Sequence, residues 1–318
     1  MDARRTAIVE LGIRTTRGTS LQADLIRDRW LYLMLLVPLV HILVFLYIPM
    51  YGITIAFKEF NAFLGYWRSP WVGLKHFIRV FEDDHFWVAF LNTLKFGISS
   101  LVFGFPAPIL FALLLNELRH RIYKGTVQTF LYIPNFISMV VIAGIIIDLL
   151  DPNSGLVNGL IVALGGQPIY FMVERPWFLP IYIGSEIWQT TGFGMIIYLA
   201  AMSGIDPQLY EAATIDGANR ARRAWHVTLP GIRPTIAILL ILRIPGIVHA
   251  NFEKILLLYR PITYDVADVI QTYIYRKGLL GADWTFGTAS GFFLAVLNLI
   301  LLLTANTVSR RVSEYRLW

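Results

Sequence analysis

Six long stretches of this chain are built almost wholly from apolar residues, with the polar residues gathered between them. Four stretches contain no Lys, Arg, Asp or Glu: Trp30 to Phe57, Phe96 to Asn116, Gly125 to Ile147 and Phe286 to Ser309. Two more are interrupted by a single charge, Pro176 to Ile205 by Glu186 and Pro234 to Phe252 by Arg243. About 20 apolar residues cross the ~30 Å hydrocarbon core of a bilayer as a helix. The pattern therefore predicts an all-α polytopic membrane protein with six transmembrane helices, at about 30–57, 88–116, 125–150, 176–203, 234–257 and 286–309. They make one domain over 30–312, preceded by a segment 1–29 and followed by a short tail, 310–318. The first stretch far exceeds the 7–15 apolar residues of a cleaved signal sequence, so it is expected to stay as an anchor.

Composition narrows the class. Of 318 residues 56% are hydrophobic and 15% charged, with mean hydropathy +0.60; soluble domains carry about 25% charged residues. That balance excludes an ordinary soluble enzyme, a disordered chain and a nucleic-acid-binding domain. The net charge of +6 is a matter of topology. With the N-terminus inside, segments 1–29, 117–125, 204–234 and 310–318 hold 16 Lys or Arg, against 8 in loops 56–87, 151–175 and 258–285. By the positive-inside rule both termini are cytoplasmic. The absence of cysteine removes disulfides, thiolate metal sites and cysteine nucleophiles. The chain has no G-x-x-x-x-G-K-[ST] sequence and no H-E-x-x-H, so no P-loop nucleotide or zinc-protease site is expected on it.

Charges inside spans are the first candidate site residues, because each is expensive against lipid. They are Lys95, Glu186 and Arg243. Counted in from the span ends, Glu186 and Arg243 lie at similar depth, so an intramembrane ion pair is one reading and an Arg243 that meets an acidic sugar is the other. Lys254 and Glu253, near the outer end of the fifth span, read as snorkelling side chains. Sugars need flat apolar faces and hydrogen-bonding amides or hydroxyls. Trp188, Gln189, Thr190 and Thr191 in the fourth span, with Asn251 and Phe252 in the fifth, supply both. Pro38, Pro49, Pro106, Pro108, Pro134, Gly192, Gly194, Pro245 and Gly246 predict interruptions of the helices.

Between the fourth and fifth spans, residues 204–233 form a compact cytoplasmic loop. Asp206-Pro207 reads as a helix start, and Asp216-Gly217 reads as a turn after about Ile215. A second, basic helix runs from about Ala218 to Thr228 and stops near Pro230. This loop resembles the EAA motif of ABC-importer permeases, E-A-A-x3-G-x9-I-x-L-P, matched by Glu211, Ala212, Ala213, Gly217, Val227, Leu229 and Pro230 with Val for Ile. The resemblance implies a type I ABC importer permease fold. It also implies docking of the first loop helix into an ATP-binding subunit, with Glu211 as the charged anchor, Ala212 and Ala213 as small contacts and Asp216-Gly217 as the turn.

Trp71-Val-Gly-Leu-Lys-His-Phe77 and Tyr132-Ile-Pro-Asn-Phe-Ile-Ser138 resemble the sugar-importer branch. Asn251-Phe-Glu-Lys-Ile-Leu-Leu-Leu-Tyr-Arg-Pro261 resembles the subgroup for complex polysaccharides that includes the bacterial alginate importer. The expected protein is a non-catalytic permease subunit for an oligosaccharide, with an acidic, alginate-type cargo as the finer reading. By the same resemblance it works with a second, homologous permease, two ATP-binding subunits that hold ATP and Mg, and an extracytoplasmic solute-binding protein. It binds no cofactor itself, contacts membrane lipid and takes no nucleic acid. The rival readings are an ion-coupled secondary transporter or channel with Glu186 as the coupling carboxylate, a membrane scaffold or receptor, and an ABC importer for a non-sugar solute.

Overall fold

A computed structural model describes residues 27–118 and 120–312. Most of the expected N-terminal segment, Arg119 in segment 117–125 and residues 313–318 of the tail lie outside the described residues. Among those described, the chain is helical apart from loops and one isolated bridge between Lys58 and Trp71. Contacts divide it into two units, Met1–Ile53 and Thr54–Trp318. The first contains most of α1 (Arg29–Phe57), in which no residue from Arg29 to Met50 is buried and Pro38 leaves the helix unbroken.

The second unit holds the rest. α2 (Lys75–Phe81) precedes α3 (Asp84–Asn116), which starts four residues before the expected 88 because Asp83 caps it, accepting from His85 N at 3.0 Å. The third expected span is not one helix. α4 (Arg121–Phe136) and α5 (Met139–Leu150) meet at 103°. α6 (Leu156–Ala163) lies in the next outer loop. α7 (Arg175–Ser203) is a single helix, and Gly192 and Gly194 do not interrupt it. The loop hairpin is α8 (Pro207–Ile215) and α9 (Arg220–Gly231). α9 runs through Pro230 and bends by only 64° into α10 (Arg233–Val248). The fifth span therefore consists of α10, an extended stretch at 249–251, and α11 (Phe252–Leu258). Outer segment 258–285 is largely helical, with α12 (Ile270–Ile274) continued by a π-turn to Leu280, and α13 (Trp284–Val312) closes the fold.

Five of the prolines fall into two groups with a physical reason. Pro49, Pro106 and Pro230 each follow a five-residue π-helical segment, Leu43–Tyr47, Ser100–Gly104 and Ala224–Thr228. A proline lacks the N–H and collides with the carbonyl four residues back. Widening the turn to a π-bulge relieves both and lets the helix continue. Pro134 and Pro245 instead begin 3-10 turns, after which the chain turns extended. Each of these breaks is followed by a side-chain N-cap that starts a new helix: Ser138 accepts from Val141 N, and Asn251 from Lys254 N. The expected interruptions thus fall at Pro134 and Pro245-Gly246.

Three apolar clusters hold the unit. Phe96, Ile142, Phe178, Tyr182 and Leu258 join α3, α5, α7 and α11. Val80, Phe86, Val248, Ile270 and Phe286 join α2, α3, α10, α12 and α13. Ile109, Leu115, Met195, Met202 and Ile232 tie the far ends of α3 and α7 to the start of α10. Between the first and third clusters the wall is polar.

Candidate functional site

Two features of the second unit bring predicted site residues together. The first is the hairpin α8–α9. Asp206 accepts from Gln208 N at 2.9 Å and Pro207 opens α8. At its end Ala218 N donates to Ala213 O at 2.9 Å and Gly217 N to Thr214 O at 3.1 Å, with Gly217 at φ +75°. This bond pair is a Schellman closure, which needs a left-handed residue at Gly217 and so explains the glycine's place four residues after Ala213. Asn219 caps α9 by accepting from Arg222 N at 2.9 Å. Tyr210 Oη lies 3.0 Å from Thr228 Oγ1, and Arg223 donates to Thr214 Oγ1 at 3.0 Å, so the two helices are cross-braced. Leu229 packs against the third cluster and Pro230 is half-buried. Glu211, Ala212 and Asp216 are exposed, Ala213 is half-buried, and Glu211 has no ion-pair partner among the described residues. Ile215 and Trp225 expose 87% and 68% of their surface beside them. The hairpin is a braced projection offering a free carboxylate and apolar side chains.

The second feature is a cavity of about 320 Å³ among α3, α7 and the broken fifth span. Helical spacing puts Tyr182, Glu186, Gln189 and Thr190 on one face of α7. The break after Pro245 opens the opposite wall and exposes backbone at 249–251, where Asn251 stands. Arg243 Nη2 donates to Glu186 Oε1 at 2.8 Å and to Ser100 Oγ at 2.9 Å; Ser100 Oγ in turn donates to Glu186 Oε1 at 2.6 Å. Glu186 Oε2 is buried without a hydrogen-bond partner.

Lys254 does not snorkel. It is 1% exposed, its Nζ donates to Tyr182 O at 2.9 Å, and it stands over the Tyr182 ring at 4.8 Å. The start of α11 is turned inward by the Asn251 cap and by Asn251 N donating to Tyr182 Oη at 2.9 Å, which carries Lys254 into the cavity wall. Arg243 and Lys254 against Glu186 leave the cavity one positive charge in excess.

Of the expected pathway residues, Gln189, Thr190, Arg243 and Asn251 line this cavity. Trp188 does not. One position before Gln189 it points about 100° away and is 47% exposed. Phe252 lies edge-to-face with Tyr275 at 5.4 Å and lines a different groove, while Thr191 is buried with its hydroxyl unpartnered. Lys95 is exposed with no ion-pair partner among the described residues. Ser100, Tyr182 and His249 were not legible as site residues. Ser100 and Tyr182 are residue types common within membrane spans and carry no charge to mark them, and His249 becomes a wall only through the break.

Long apolar helices around a charged, broken-helix cavity, with a braced hairpin outside them, define a polytopic membrane transport subunit. The chain belongs to the family of binding-protein-dependent transport system inner membrane components, whose profile matches residues 104–314. It is 43% identical to the polygalacturonan/rhamnogalacturonan transport system permease protein YteP of Bacillus subtilis over 98% of each chain. Protein LplB of the same organism is 41% identical over 94% of each. A solved bacterial ABC transporter involved in import of the acidic polysaccharide alginate contains a chain 46% identical to this one. It covers 92% of this chain and 99% of its own length, with TM-score 0.86.

Proposed function

We propose that this chain is the permease subunit of an ABC importer that carries an acidic oligosaccharide into the cytoplasm across a bacterial inner membrane. The cavity carries this reading. Its amide and hydroxyl groups suit a sugar, and its excess cation from Arg243 and Lys254 suits a uronate carboxylate. The likeness to the alginate-importer chain supports the same cargo class. Energy comes from outside the chain: Glu211, Ala212, Ala213, Asp216 and Gly217 form the docking end of the hairpin for ATP-binding subunits, which hold ATP and Mg²⁺. Leu229 and Pro230 pass its movement to α10. A second permease and an extracytoplasmic solute-binding protein complete the assembly.

Because α9 runs directly into α10, displacement of the hairpin swings Arg243 against Glu186 on α7. The braces from Tyr210 and Arg223 make the hairpin move as a body, so force on Glu211 reaches the cavity rather than being absorbed in a flexible loop.

The test is ATP-driven uptake by vesicles holding the whole complex, with uronate and neutral oligosaccharides. Glu211→Ala and Glu211→Lys are expected to abolish uptake and substrate-stimulated ATP hydrolysis while the complex still assembles. Lys254→Met, of similar volume, is expected to spare the fold and reduce uronate uptake about tenfold, or ~1.4 kcal/mol. Uptake indifferent to ATP and to Glu211 overturns the importer reading, and neutral sugar outcompeting uronate overturns the cargo.

A further inference from the structure

His249 lies in the extended stretch between α10 and α11 and lines two cavities at once. On one side is the charged cavity. On the other is a groove of about 660 Å³ between the α12 region and α13. Gln271 Nε2 donates to Val248 O at 3.1 Å and also faces His249 Nδ1 at 3.3 Å, while His249 Nε2 lies 3.0 Å from the Asn298 amide. A neutral imidazole has one donor and one acceptor nitrogen. The Val248 bond fixes which end of Gln271 faces the ring, so Nδ1 accepts and Nε2 carries the proton. Asn298 must then present its oxygen, an amide orientation that also satisfies the otherwise unpartnered Oδ1. Its amide N–H groups then take the buried position of Oδ1 and, like the buried Gln271 Oε1, have no hydrogen-bond partner among the described residues.

Three polar side chains on one groove are a poor surface for lipid. Trp284, Tyr275 and Phe252 supply flat rings on the same groove, and Ile274, Leu279, Leu294 and Ala295 complete its apolar lining. Gly278 and Gly287 keep the two walls close, since a Cβ on Gly278 would come within 2.8 Å of Gly287 Cα. Flat rings beside amides are the two elements that a pyranose requires, an apolar face for its C–H groups and partners for its hydroxyls. Size points the same way. Ligand pockets run from roughly 300 to 1,000 Å³, and the charged cavity stands at the small end of that range.

We infer that the groove is a second saccharide subsite, holding sugar units beyond those in the charged cavity, with His249 as the wall both subsites share. This rests on the oligosaccharide reading above. It makes the groove a determinant of chain length, whereas Arg243 and Lys254 read the carboxylate.

The experiment uses the assembled importer in vesicles, with an oligogalacturonide disaccharide and pentasaccharide as probes. Trp284→Ala is expected to lower pentasaccharide uptake about tenfold and leave disaccharide uptake within about twofold. An equal loss for both lengths, or a loss for neither, overturns the subsite. A second measurement exploits the absence of native cysteine. Thr288→Cys, on the groove wall, is expected to react with a maleimide in the complex and to be protected by the pentasaccharide. Labelling that the sugar does not change, or that is already blocked without sugar by a partner helix or lipid, overturns the proposal. Failure of the unmutated complex to take up either probe would instead count against the oligosaccharide reading itself.

Discussion

Gly192 and Leu131 approach so closely that a Cβ on the glycine would lie 1.8 Å from the leucine carbonyl oxygen. Gly97 stands in the same relation to Ile247, at 1.9 Å. In both pairs the glycine belongs to an unbroken stretch of a long helix, α7 or α3, and the carbonyl to a segment about to break, beside Pro134 or Pro245. Carbonyls at a helix end have lost their intrahelical partner. A residue without a Cβ lets the neighbouring backbone close over them, with Cα–H groups as weak donors.

Gly192→Ala and Gly97→Ala are therefore expected to destabilise the protein by about 3 kcal/mol, the upper end of the usual overpacking cost. Gly144→Ala is the control. It lies within α5 with no neighbouring atom within 4 Å of a new Cβ, and should be neutral or stabilising by up to ~1 kcal/mol. Thermal unfolding in detergent reads all three. A Gly192→Ala protein as stable as the parent would contradict the close approach.

The Arg243–Glu186 pair gives a second expectation. Its side chains are 47% and 16% exposed, between an exposed pair worth about 0–1 kcal/mol and a buried one whose breaking costs about 3–5. Arg243→Met should cost about 2 kcal/mol, because Glu186 is left with only the Ser100 hydroxyl. Adding Glu186→Gln should recover at least half of that loss, since no charge then remains uncompensated. Strictly additive losses in the double variant would show that the two residues are not coupled.

On the outer side, Asp83 accepts from Tyr273 Oη at 2.7 Å and pairs with Lys277. Burial by itself raises the Asp83 carboxyl pKa. The hydrogen bonds from Lys277 and Tyr273, with the charge of Lys277, outweigh burial and hold it below the ordinary 3.8. A carboxylate with a depressed folded pKa contributes stability above its unfolded value and loses it as the pH falls through the folded one. Asp83→Asn should thus lower Tm most at about pH 7, with the gap to the parent closing as the pH falls below the ordinary carboxylate value of 3.8. A gap that stayed constant through that fall would assign the effect to the helix cap rather than to the charge.

Much of the hairpin was legible because its interactions are local. The Asp206 cap and the Gly217 turn depend on neighbours within a few residues and are readable from residue type, while the spacing from Glu211 to Pro230 was read through its resemblance to the EAA motif. The six apolar stretches were equally plain, since length and lack of charge are properties of the chain itself. The charges in spans 4 and 5 announced themselves by their rarity.

What the sequence alone determined is which segments are helical and apolar, where the rare charges fall, and the shape of the α8–α9 turn, because solvent cost and backbone preference act residue by residue. The tertiary structure decided which prolines bulge a helix and which break it. It turned Lys254 inward and Trp188 away, placed Ser100 between Arg243 and Glu186, and gave His249 two cavities to line. Those outcomes depend on what stands across the gap, a neighbouring glycine, carbonyl or carboxylate far along the chain, and no local preference encodes that partner.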